Sequence, residues 1–450
     1  MADEAVAQPR RQQGHDHHQR HRHRPEQDLL HVARRRVAHT RPAQEVVHPA
    51  LDGDGGRSGT GGHDRYSVPL ERLVSNLLAP RRPQGRLLAL RLDYGLVVTT
   101  LVVAVIGVVI VYSATRSSLL LHGESPHYFL NRQAGYVFAG VVVMVVLAAW
   151  DYRWLQHASW LLYAGLILAL LSVFVIGSTA QGATRWIQVG PVQFQPSAFG
   201  TVVLVVGAAA FCARKPEGLE RGDLFKALGL AAIPILLVIK QPDLGSGIVM
   251  AIVLLVMLIV AGIPNRYLVL LVLSAVAGIV AIIRLGILKP YQEARITSFL
   301  HQGSNSQTTT YNLHQSIAAI GSGGFWGKGL FHGPQTNLSY VPSQRTDFIF
   351  SAVGEQLGFV GAATVLLLLG IVAWRMLRVA QTTRDPFGRL LATGSFTLIA
   401  FSAFENAGMA MGIMPVAGIP LPFLSYGGSA TVAFFAAVGI VLSVELHRQR

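Results

Sequence analysis

Residues 341–361, VPSQRTDFIFSAVGEQLGFVG, combine charged side chains with the start of an apolar run. Arg345 and Asp347 stand where the run begins, and Glu355 lies two helical turns further along it. A charge inside a bilayer is costly, so an acid within a membrane helix is expected to face a bundle interior or a water-filled cavity. The stretch therefore predicts a membrane helix with one polar face turned away from lipid.

Apolar runs that can cross the roughly 30 Å hydrocarbon core recur along the chain. The 450 residues are 51% hydrophobic and 13% charged. We predict an all-α polytopic membrane protein with about ten transmembrane helices and a large extracellular loop between helices seven and eight. The predicted spans are 94–114, 134–150, 159–177, 197–213, 226–240, 245–262, 267–288, 347–373, 390–414 and 428–446.

The first 90 residues differ from the rest in composition. Tracts such as GHDHHQRHRHRP lack apolar periodicity, so residues 1–90 are predicted to be a disordered, basic, His/Arg-rich tail, followed by a membrane domain over 91–450. No signal peptide is expected before the first span. The net charge of +14 lies largely in this tail and in short connectors, which indicates membrane orientation rather than nucleic-acid binding. Cys212 is the only cysteine, and no metal site is predicted.

Charge also predicts the orientation of the spans. The connectors RKPEGLERGDLFK and RMLRVAQTTRDPFGR each contain four Lys or Arg residues, which places them, and both termini, in the cytoplasm. The connectors that carry motifs then lie on the outer face of the cytoplasmic membrane. They are STAQGATRWIQVGPVQFQP, KQPDLGSG, the loop 289–346 and PVAGIPLPFLSYGG.

Two spans carry acids at similar predicted depth. Asp347, Ser351 and Glu355 recur every four residues, which places them on one face of the eighth helix. Glu405 and Asn406 interrupt the ninth span roughly 13 Å from its outer end, and Glu355 lies roughly 12 Å below the start of its helix. We infer that these two helices line one outward-opening cavity. The alternatives are that each acid is satisfied separately, or that Glu355 only bonds to a neighbouring helix along a small-residue packing seam.

Basic residues in the outer connectors could bind a phosphate or pyrophosphate, because guanidinium groups bind two oxygens at once and ammonium groups supply a compact charge. They are Arg185, Lys240, Lys289, Arg295, Lys328 and Arg345. The glycine-rich segment AIGSGGFWGKG, by contrast, lacks the context of a nucleotide-binding loop and predicts tight turns and close backbone approach.

Several segments together resemble the SEDS family, the RodA, FtsW and SpoVE group of bacterial cell-wall polymerases. The matching segments are GATRWIQVGPVQFQPS (182–197), QPDLGSG (241–247), YQEARITSFL (291–300), the run 311–361 that ends in VPSQRTDFIFSAVGEQLGFVG, and NAGMAMGIMPVAGIPLPFLSYGGSA (406–430). The likeness covers about residues 90–446, and GLFHGPQTNLSYVPSQRTDFIFS looks more like RodA than FtsW.

The resemblance implies a ten-helix bundle whose outer cavity binds lipid II, the undecaprenyl-pyrophosphate-linked disaccharide-pentapeptide. It also implies polymerisation into glycan strands for cell-wall elongation and cell shape, together with a class B penicillin-binding protein. Asp347 corresponds to the acid of the family's HTDFIF motif and is the implied catalytic base. No cofactor is identified, and a divalent cation is left open. The predicted substrate-binding residues are Arg185, Asp243, Arg295, Lys328, Arg345, Glu355, Glu405 and Asn406.

The chain also departs from the family pattern. Ala198 and Thr201 stand where a Glu and a Lys are common, which removes both members of an expected pair and leaves no unpaired charge. Arg345 replaces a usual His, Ser343 a usual Glu, and Gln356 one of two successive Glu residues. Two other functions remain as alternatives: a lipid II flippase, for which no convincing internal repeat is found, and a non-catalytic scaffold for a penicillin-binding protein.

Overall fold

The computed structural model describes residues 92–180, 183–190, 192–215, 218–285, 299 and 308–448. All of these belong to one compact unit, Pro80–Arg450. The predicted tail, residues 1–90, lies outside the described residues, as do Lys289 and Arg295.

Ten apolar helices are present within the described residues, which confirms the predicted architecture. Seven are at least 18 residues long and apolar enough to cross a membrane, and three further apolar segments of 10–17 residues make up α4, α6 and the first part of α7. Their bounds are α1 Tyr94–Leu121, α2 Tyr128–Ala149, α3 Arg153–Ile176, α4 Pro196–Cys212, α5 Arg221–Lys240, α6 Leu244–Val260, α7 Asn265–Arg284, α10 Ile349–Thr382, α11 Pro386–Ala410 and α12 Gly428–His447.

Helix α1 continues to Leu121, one to two turns beyond the predicted end at 114. The extension begins with four polar residues, Thr115–Ser118, and the Thr115 hydroxyl donates to the carbonyl of Val111 within the helix. Such local bonding lets hydroxyl side chains continue a helix that packs against protein. The extra turns matter because they line a second cavity, described below.

The connector after α3 forms a small sheet rather than the loop predicted for it. Strands β1 (Ser178–Ala180), β2 (Ala183–Val189) and β3 (Val192–Phe194) pair in the order β1-β2-β3, both pairs antiparallel. Ser178 pairs with Trp186, and Ile187 pairs with Phe194. Gly190 has a φ of 57° at the second turn, a conformation that glycine adopts without strain. The sheet positions Arg185 and Trp186 at the mouth of the bundle.

The connector between α7 and α10 contains two further helices in its described part, α8 (Thr308–Gly323) and the short α9 (Pro334–Asn337). Helix α8 packs against α10, and α9 packs against α1. The weak hydrophobic periodicity of this region had predicted a loop. The segment is ordered by contacts with distant helices, which a local pattern does not reveal.

Helix α10 is broken at Gly358, which has φ 67° and ψ −164°. The glycine-rich segment after α8 fills the break. The amides of Lys328 and Gly329 donate to the carbonyls of Glu355 and Gln356 at 3.0 and 2.9 Å. In return, the amide of Phe359 donates to the carbonyl of Gly324 at 2.9 Å. Backbone groups freed by the break therefore find protein partners, as non-helical backbone at membrane depth requires.

Gly358→Ala is expected to destabilise the protein clearly. A Cβ at this position would overlap the backbone nitrogen of Gly327, and the positive φ adds strain of about 1–3 kcal/mol. Thermal unfolding of the purified protein in detergent would measure the loss. Gly370→Ala is the matched control, because Gly370 lies in the same helix and a Cβ there meets nothing within 4 Å. An unchanged melting temperature for Gly358→Ala would contradict this account of the break.

The interior of the bundle is built around α11 and α12. Most of the apolar stretch of each is buried, whereas α2 and α3 leave most of theirs uncovered. Helix α12 packs against α2, and α11 packs against α10, α6 and α4. Apolar side chains on the outer helices, such as Phe138 and Leu168, are exposed and suited to contact with lipid.

Candidate functional site

A polar cavity of about 380 Å³ opens where α2, α4 and α6 meet the segments preceding α10 and α12. This volume falls within the usual range for small-molecule sites. We call it the first cavity. Its charged and hydrogen-bonding side chains are Arg132, Tyr136, Arg185, Gln193, Gln195, Ser197, Thr201, Asp243, Ser246, Arg345, Thr346, Asp347, Ser402, Tyr426 and Ser429.

Asp347 lies on the wall of this cavity and is half-buried. The helix begins at Ile349 instead of the predicted 347, so Asp347 belongs to the segment that enters the helix. Its amide donates to the carbonyl of Ser343 at 3.1 Å, and its carbonyl accepts from Nδ2 of Asn406 at 2.7 Å. The position of the carboxylate is therefore defined by backbone contacts on both sides.

The two preceding residues are held in the same way. The carbonyl of Arg345 accepts from the amide of Tyr426 at 2.8 Å, and that of Thr346 accepts from the hydroxyl of Ser425 at 2.6 Å. Three consecutive carbonyls thus bind residues of α11 and of the segment before α12. We call residues 345–347 the acid segment. Catalytic groups need such support, because small displacements cost large factors in rate.

Asp243 forms the opposite side of the cavity and is almost fully buried. It caps α6, since its carboxylate accepts from the amide and the hydroxyl of Ser246. It also accepts from the hydroxyl of Ser197 at 2.7 Å and from Gln195 at 3.0 Å, and it lies 3.7 Å from the Arg185 guanidinium. A carboxylate with this many partners is suited to a structural role that orients Arg185.

Three guanidinium groups line the cavity, and each lies over an aromatic ring. Arg185 lies 4.4 Å from the ring of Trp186, Arg345 lies 4.3 Å from Phe129, and Arg132 lies 4.8 Å from Tyr128. Stacking of this kind orients the planar group without using its hydrogen-bond donors. The donors are thereby left to polar partners, which include Asp243 for Arg185 and Tyr426 for Arg132.

Tyr426 supplies a neutral hydroxyl to the same wall. Burial raises the pKa of Tyr426 to about 12, with a further contribution from Tyr136. The phenol therefore stays protonated at physiological pH, so it can donate a hydrogen bond without adding negative charge. Arg132 lies beside it as a hydrogen-bonding neighbour.

Glu355 does not line the first cavity, so the inference that it faces one outward-opening cavity together with Glu405 is wrong. The side chain is fully buried and accepts hydrogen bonds from the amides of Gln335 and Thr336, each at 2.8 Å, and from the Thr336 hydroxyl. It therefore binds the N-terminal end of α9, where free amides favour a carboxylate. The shared-face prediction assumed that the helix began at Asp347.

Two other predicted binding residues also lie outside the cavity lining. Asn406 is fully buried, and its Nδ2 bridges the carbonyls of Asp347 and Ile419. It supports the acid segment from behind instead of reaching the cavity. Glu405 is buried within α11 and does not line the cavity either. The polar groups of α10 and α11 therefore do not form the predicted cavity wall. Asn406 and Glu355 instead bind backbone groups of neighbouring segments.

The predicted cations divide into two groups. Arg185 and Arg345 line the first cavity, whereas Lys240 and Lys328 are exposed and lie elsewhere. Arg295 falls outside the described residues. Ala198 and Thr201, which replace a common Glu and Lys, lie on the cavity wall, where they add space and no charge.

Arg132 is the charged residue of the first cavity that the sequence prediction missed. The predicted second span began at 134, which left this arginine in a connector, but α2 begins at Tyr128 and includes it. An arginine within the first two turns of an apolar helix was the available signal. Within the described ranges, no group of three or more His, Cys, Asp or Glu side chains could hold a metal ion.

Ten apolar helices around a polar, arginine-lined cavity define a multi-pass membrane protein with a binding site at one end of the bundle. The chain belongs to the FtsW/RodA/SpoVE family, whose model, described as "Cell cycle protein", matches residues 94–450.

Two curated relatives illustrate this membership. Stage V sporulation protein E of Bacillus subtilis (strain 168) is 35% identical over 359 residues, covering 79% of this chain and 97% of the relative. Peptidoglycan glycosyltransferase MrdB of Escherichia coli (strain K12) is 37% identical over 322 residues, covering 71% of this chain and 86% of the relative.

Two solved structures have the same fold. One, described as "Structural coordination of polymerization and crosslinking by a peptidoglycan synthase complex", has a TM-score of 0.67 at 29% identity and covers 79% of this chain and 97% of the matched chain. The crystal structure of the rod shape determining protein RodA of Thermus thermophilus has a TM-score of 0.59 at 29% identity, covering 80% of this chain and 98% of the matched chain.

Proposed function

We propose that this protein is a peptidoglycan glycosyltransferase that polymerises lipid II at the outer face of the cytoplasmic membrane, with Asp347 as its catalytic base. The observation that carries the proposal is a carboxylate fixed by the acid segment on the wall of an arginine-lined cavity. Relatives named peptidoglycan glycosyltransferases support the reaction class.

In the proposed step, the Asp347 carboxylate accepts the proton of the acceptor sugar's hydroxyl. The hydroxyl oxygen forms a bond to the anomeric carbon of the donor as the bond from that carbon to the phosphate oxygen breaks. Undecaprenyl pyrophosphate leaves with the bonding electrons, and the proton stays on Asp347 until it is released to solvent. A base held in place before the substrates arrive lowers the cost of this proton transfer.

The arginines of the first cavity are proposed to stabilise the negative charge on the leaving group. Asp243 offsets the charge of Arg185, and Arg132 and Arg345 supply further positive charge on the cavity wall. Guanidinium groups bind phosphate oxygens in pairs, and in a cavity shielded from water they stabilise the charge that develops on the departing pyrophosphate. A divalent cation in the cavity would take its ligands from Asp347 and the substrate's own oxygens, because the partners of Asp243 are already in place.

Arg132→Gln is expected to lower kcat/KM for lipid II by about tenfold to a hundredfold. The variant removes a charge-assisted interaction with the pyrophosphate, and such interactions contribute about 1.5–3 kcal/mol. Initial rates of glycan formation over a range of lipid II concentrations would measure the change. Arg266→Gln is the matched control, since Arg266 is exposed and stacks on Tyr267 away from the cavity. Equal values of kcat/KM for the two variants would contradict a role for Arg132 in binding the pyrophosphate.

The orientation and the partner form part of the same proposal. Basic connectors support a cytoplasmic location for both termini, and with it an outer location for the first cavity. A class B penicillin-binding protein is the proposed partner, supported by the likeness to a peptidoglycan synthase complex.

The test is polymerisation of purified lipid II by the purified protein together with its class B partner. Glycan chains on a gel are the expected result. No product under conditions where the peptidoglycan glycosyltransferase MrdB of Escherichia coli is active would overturn the proposal. Transfer of labelled lipid II between vesicle leaflets without polymerisation would favour the flippase, and the absence of both activities would favour the scaffold.

A further inference from the structure

A second cavity of about 340 Å³ lies on the other side of the acid segment. It is formed by the last turns of α1, the connector between α1 and α2, and residues 339–346. Arg345 and Thr346 line both cavities, so two residues of the acid segment form a shared wall. Asp347 follows directly on that wall. A ligand in the second cavity would therefore contact the residue that precedes Asp347.

The second cavity presents hydrogen-bonding groups that the fold does not use. The hydroxyls of Ser118 and Ser343 and the carboxylate of Glu124 make no side-chain hydrogen bond to any residue that the structure describes. Gln344, which lines the same cavity, is different, because its amide nitrogen donates to the carbonyls of Ala114 and Thr336. The first three groups are therefore available to a ligand.

The backbone around these groups is well defined. The amide of Glu124 donates to the carbonyl of Leu119 at 2.9 Å, and Gly123 has a φ of 71°, a geometry that ends α1. The carbonyl of Ser343 accepts from the amides of Thr346 and Asp347. The free side chains thus stand on two chain segments with defined backbone contacts.

The charge of the second cavity differs from that of the first. Its lining contains one carboxylate, Glu124, and one guanidinium, Arg345, besides His122. The first cavity has three guanidinium groups, one of them paired with Asp243. A pyrophosphate therefore favours the first cavity. The second suits an uncharged ligand rich in hydroxyl groups, because carboxylate oxygens accept from such groups and serine hydroxyls both donate and accept.

We propose that the second cavity is a carbohydrate subsite that binds an N-acetylhexosamine unit of the acceptor substrate, while the pyrophosphate of the donor occupies the first. This inference rests on the proposed function. It places the two substrates on opposite sides of one short wall, with the attacking hydroxyl at its end beside Asp347. The volume agrees with a site for a small ligand.

The first test uses a soluble probe, chitotetraose, and saturation-transfer NMR on the purified full-length protein. We expect binding to the wild type and at least about tenfold weaker binding to Ser118→Leu, which fills the cavity, and to Glu124→Gln, which removes the charge-assisted acceptor. Ser274→Leu and Glu220→Gln are the matched controls, since both residues are exposed and line neither cavity. Absence of binding to the wild type, or equal binding to all variants, would overturn the subsite.

The second test measures lipid II polymerisation by the same variants. We expect KM to rise at least about fivefold with little change in kcat, because the lost contacts belong to ground-state binding. Unchanged KM in both variants, in a protein that polymerises lipid II, would overturn the subsite and leave the proposed function standing. Variant-sensitive chitotetraose binding by a wild type that makes no glycan would support the subsite and overturn the proposed function. Melting temperatures would show that the variants are folded.

Discussion

Asp347→Asn is expected to reduce lipid II polymerisation by at least about a hundredfold, because general-base catalysis contributes roughly 10²–10⁴ in rate. The amide has nearly the shape of the carboxylate but cannot accept the proton of the attacking hydroxyl. The backbone contacts of Asp347, to Ser343 and Asn406, do not involve the side chain, so the acid segment should keep its position. The measurement is the initial rate of glycan formation with saturating lipid II.

Asp151→Asn is the control for this variant. Asp151 lies between α2 and α3 and is half-exposed; its carboxylate accepts from the amide of Arg153 at 3.0 Å and lies 3.9 Å from the guanidinium of the same residue. A pair of this kind contributes little to stability. Equal activity of wild type and Asp347→Asn, with the melting temperature unchanged, would show that another group takes the proton.

Glu355→Ala is expected to lower the free energy of unfolding by about 2–6 kcal/mol. The variant leaves the amides of Gln335 and Thr336 without their acceptor, and each unsatisfied buried donor costs about 1–3 kcal/mol. Glu355→Gln should lose less, because its amide oxygen can still accept from one of them. Unfolding monitored by circular dichroism in detergent would measure this, and we expect the free energy of unfolding to fall in the order wild type, Glu355→Gln, Glu355→Ala.

The effect should also reach the acid segment. Glu355 holds α9, the Thr336 carbonyl accepts from Gln344 at 2.9 Å, and Gln344 immediately precedes the acid segment. We therefore expect the folded fraction of Glu355→Gln to show reduced kcat at nearly unchanged KM, as expected for a positioning residue. Glu220→Ala, at an exposed acid, should change neither property. An unchanged free energy of unfolding in Glu355→Ala would contradict the conclusion that the Glu355 carboxylate stabilises the start of α9.

The sequence predicted the ten apolar helices because each needs only a local run of suitable length. It also predicted Arg185, Asp243 and Arg345, which stand in polar connectors between such runs, and Asp347, at the start of a span; the structure brings all four to one cavity. These connectors converge at one end of the bundle, so position in the chain was enough to group them. Their roles in binding and catalysis stay predictions.

Glu355 and Asn406 were misplaced for a common reason. Each was assigned to the cavity because a polar group within a span needs a partner, which is correct. The partner of Glu355 is the end of a four-residue helix, and that of Asn406 is a pair of backbone carbonyls. Neither is visible as a sequence pattern. The sheet β1–β3 was missed because its strands are short, and Arg132 was missed because the start of α2 was placed six residues too late.

The central claim is that the lipid-linked pyrophosphate occupies the first cavity beside Asp347. The most direct measurement is a cryo-electron microscopy structure of the Asp347→Asn variant with its class B partner and bound lipid II. We predict pyrophosphate density within hydrogen-bond distance of Arg132 and Arg345. Lipid II bound elsewhere on the bundle, with the first cavity occupied only by water, would contradict the account.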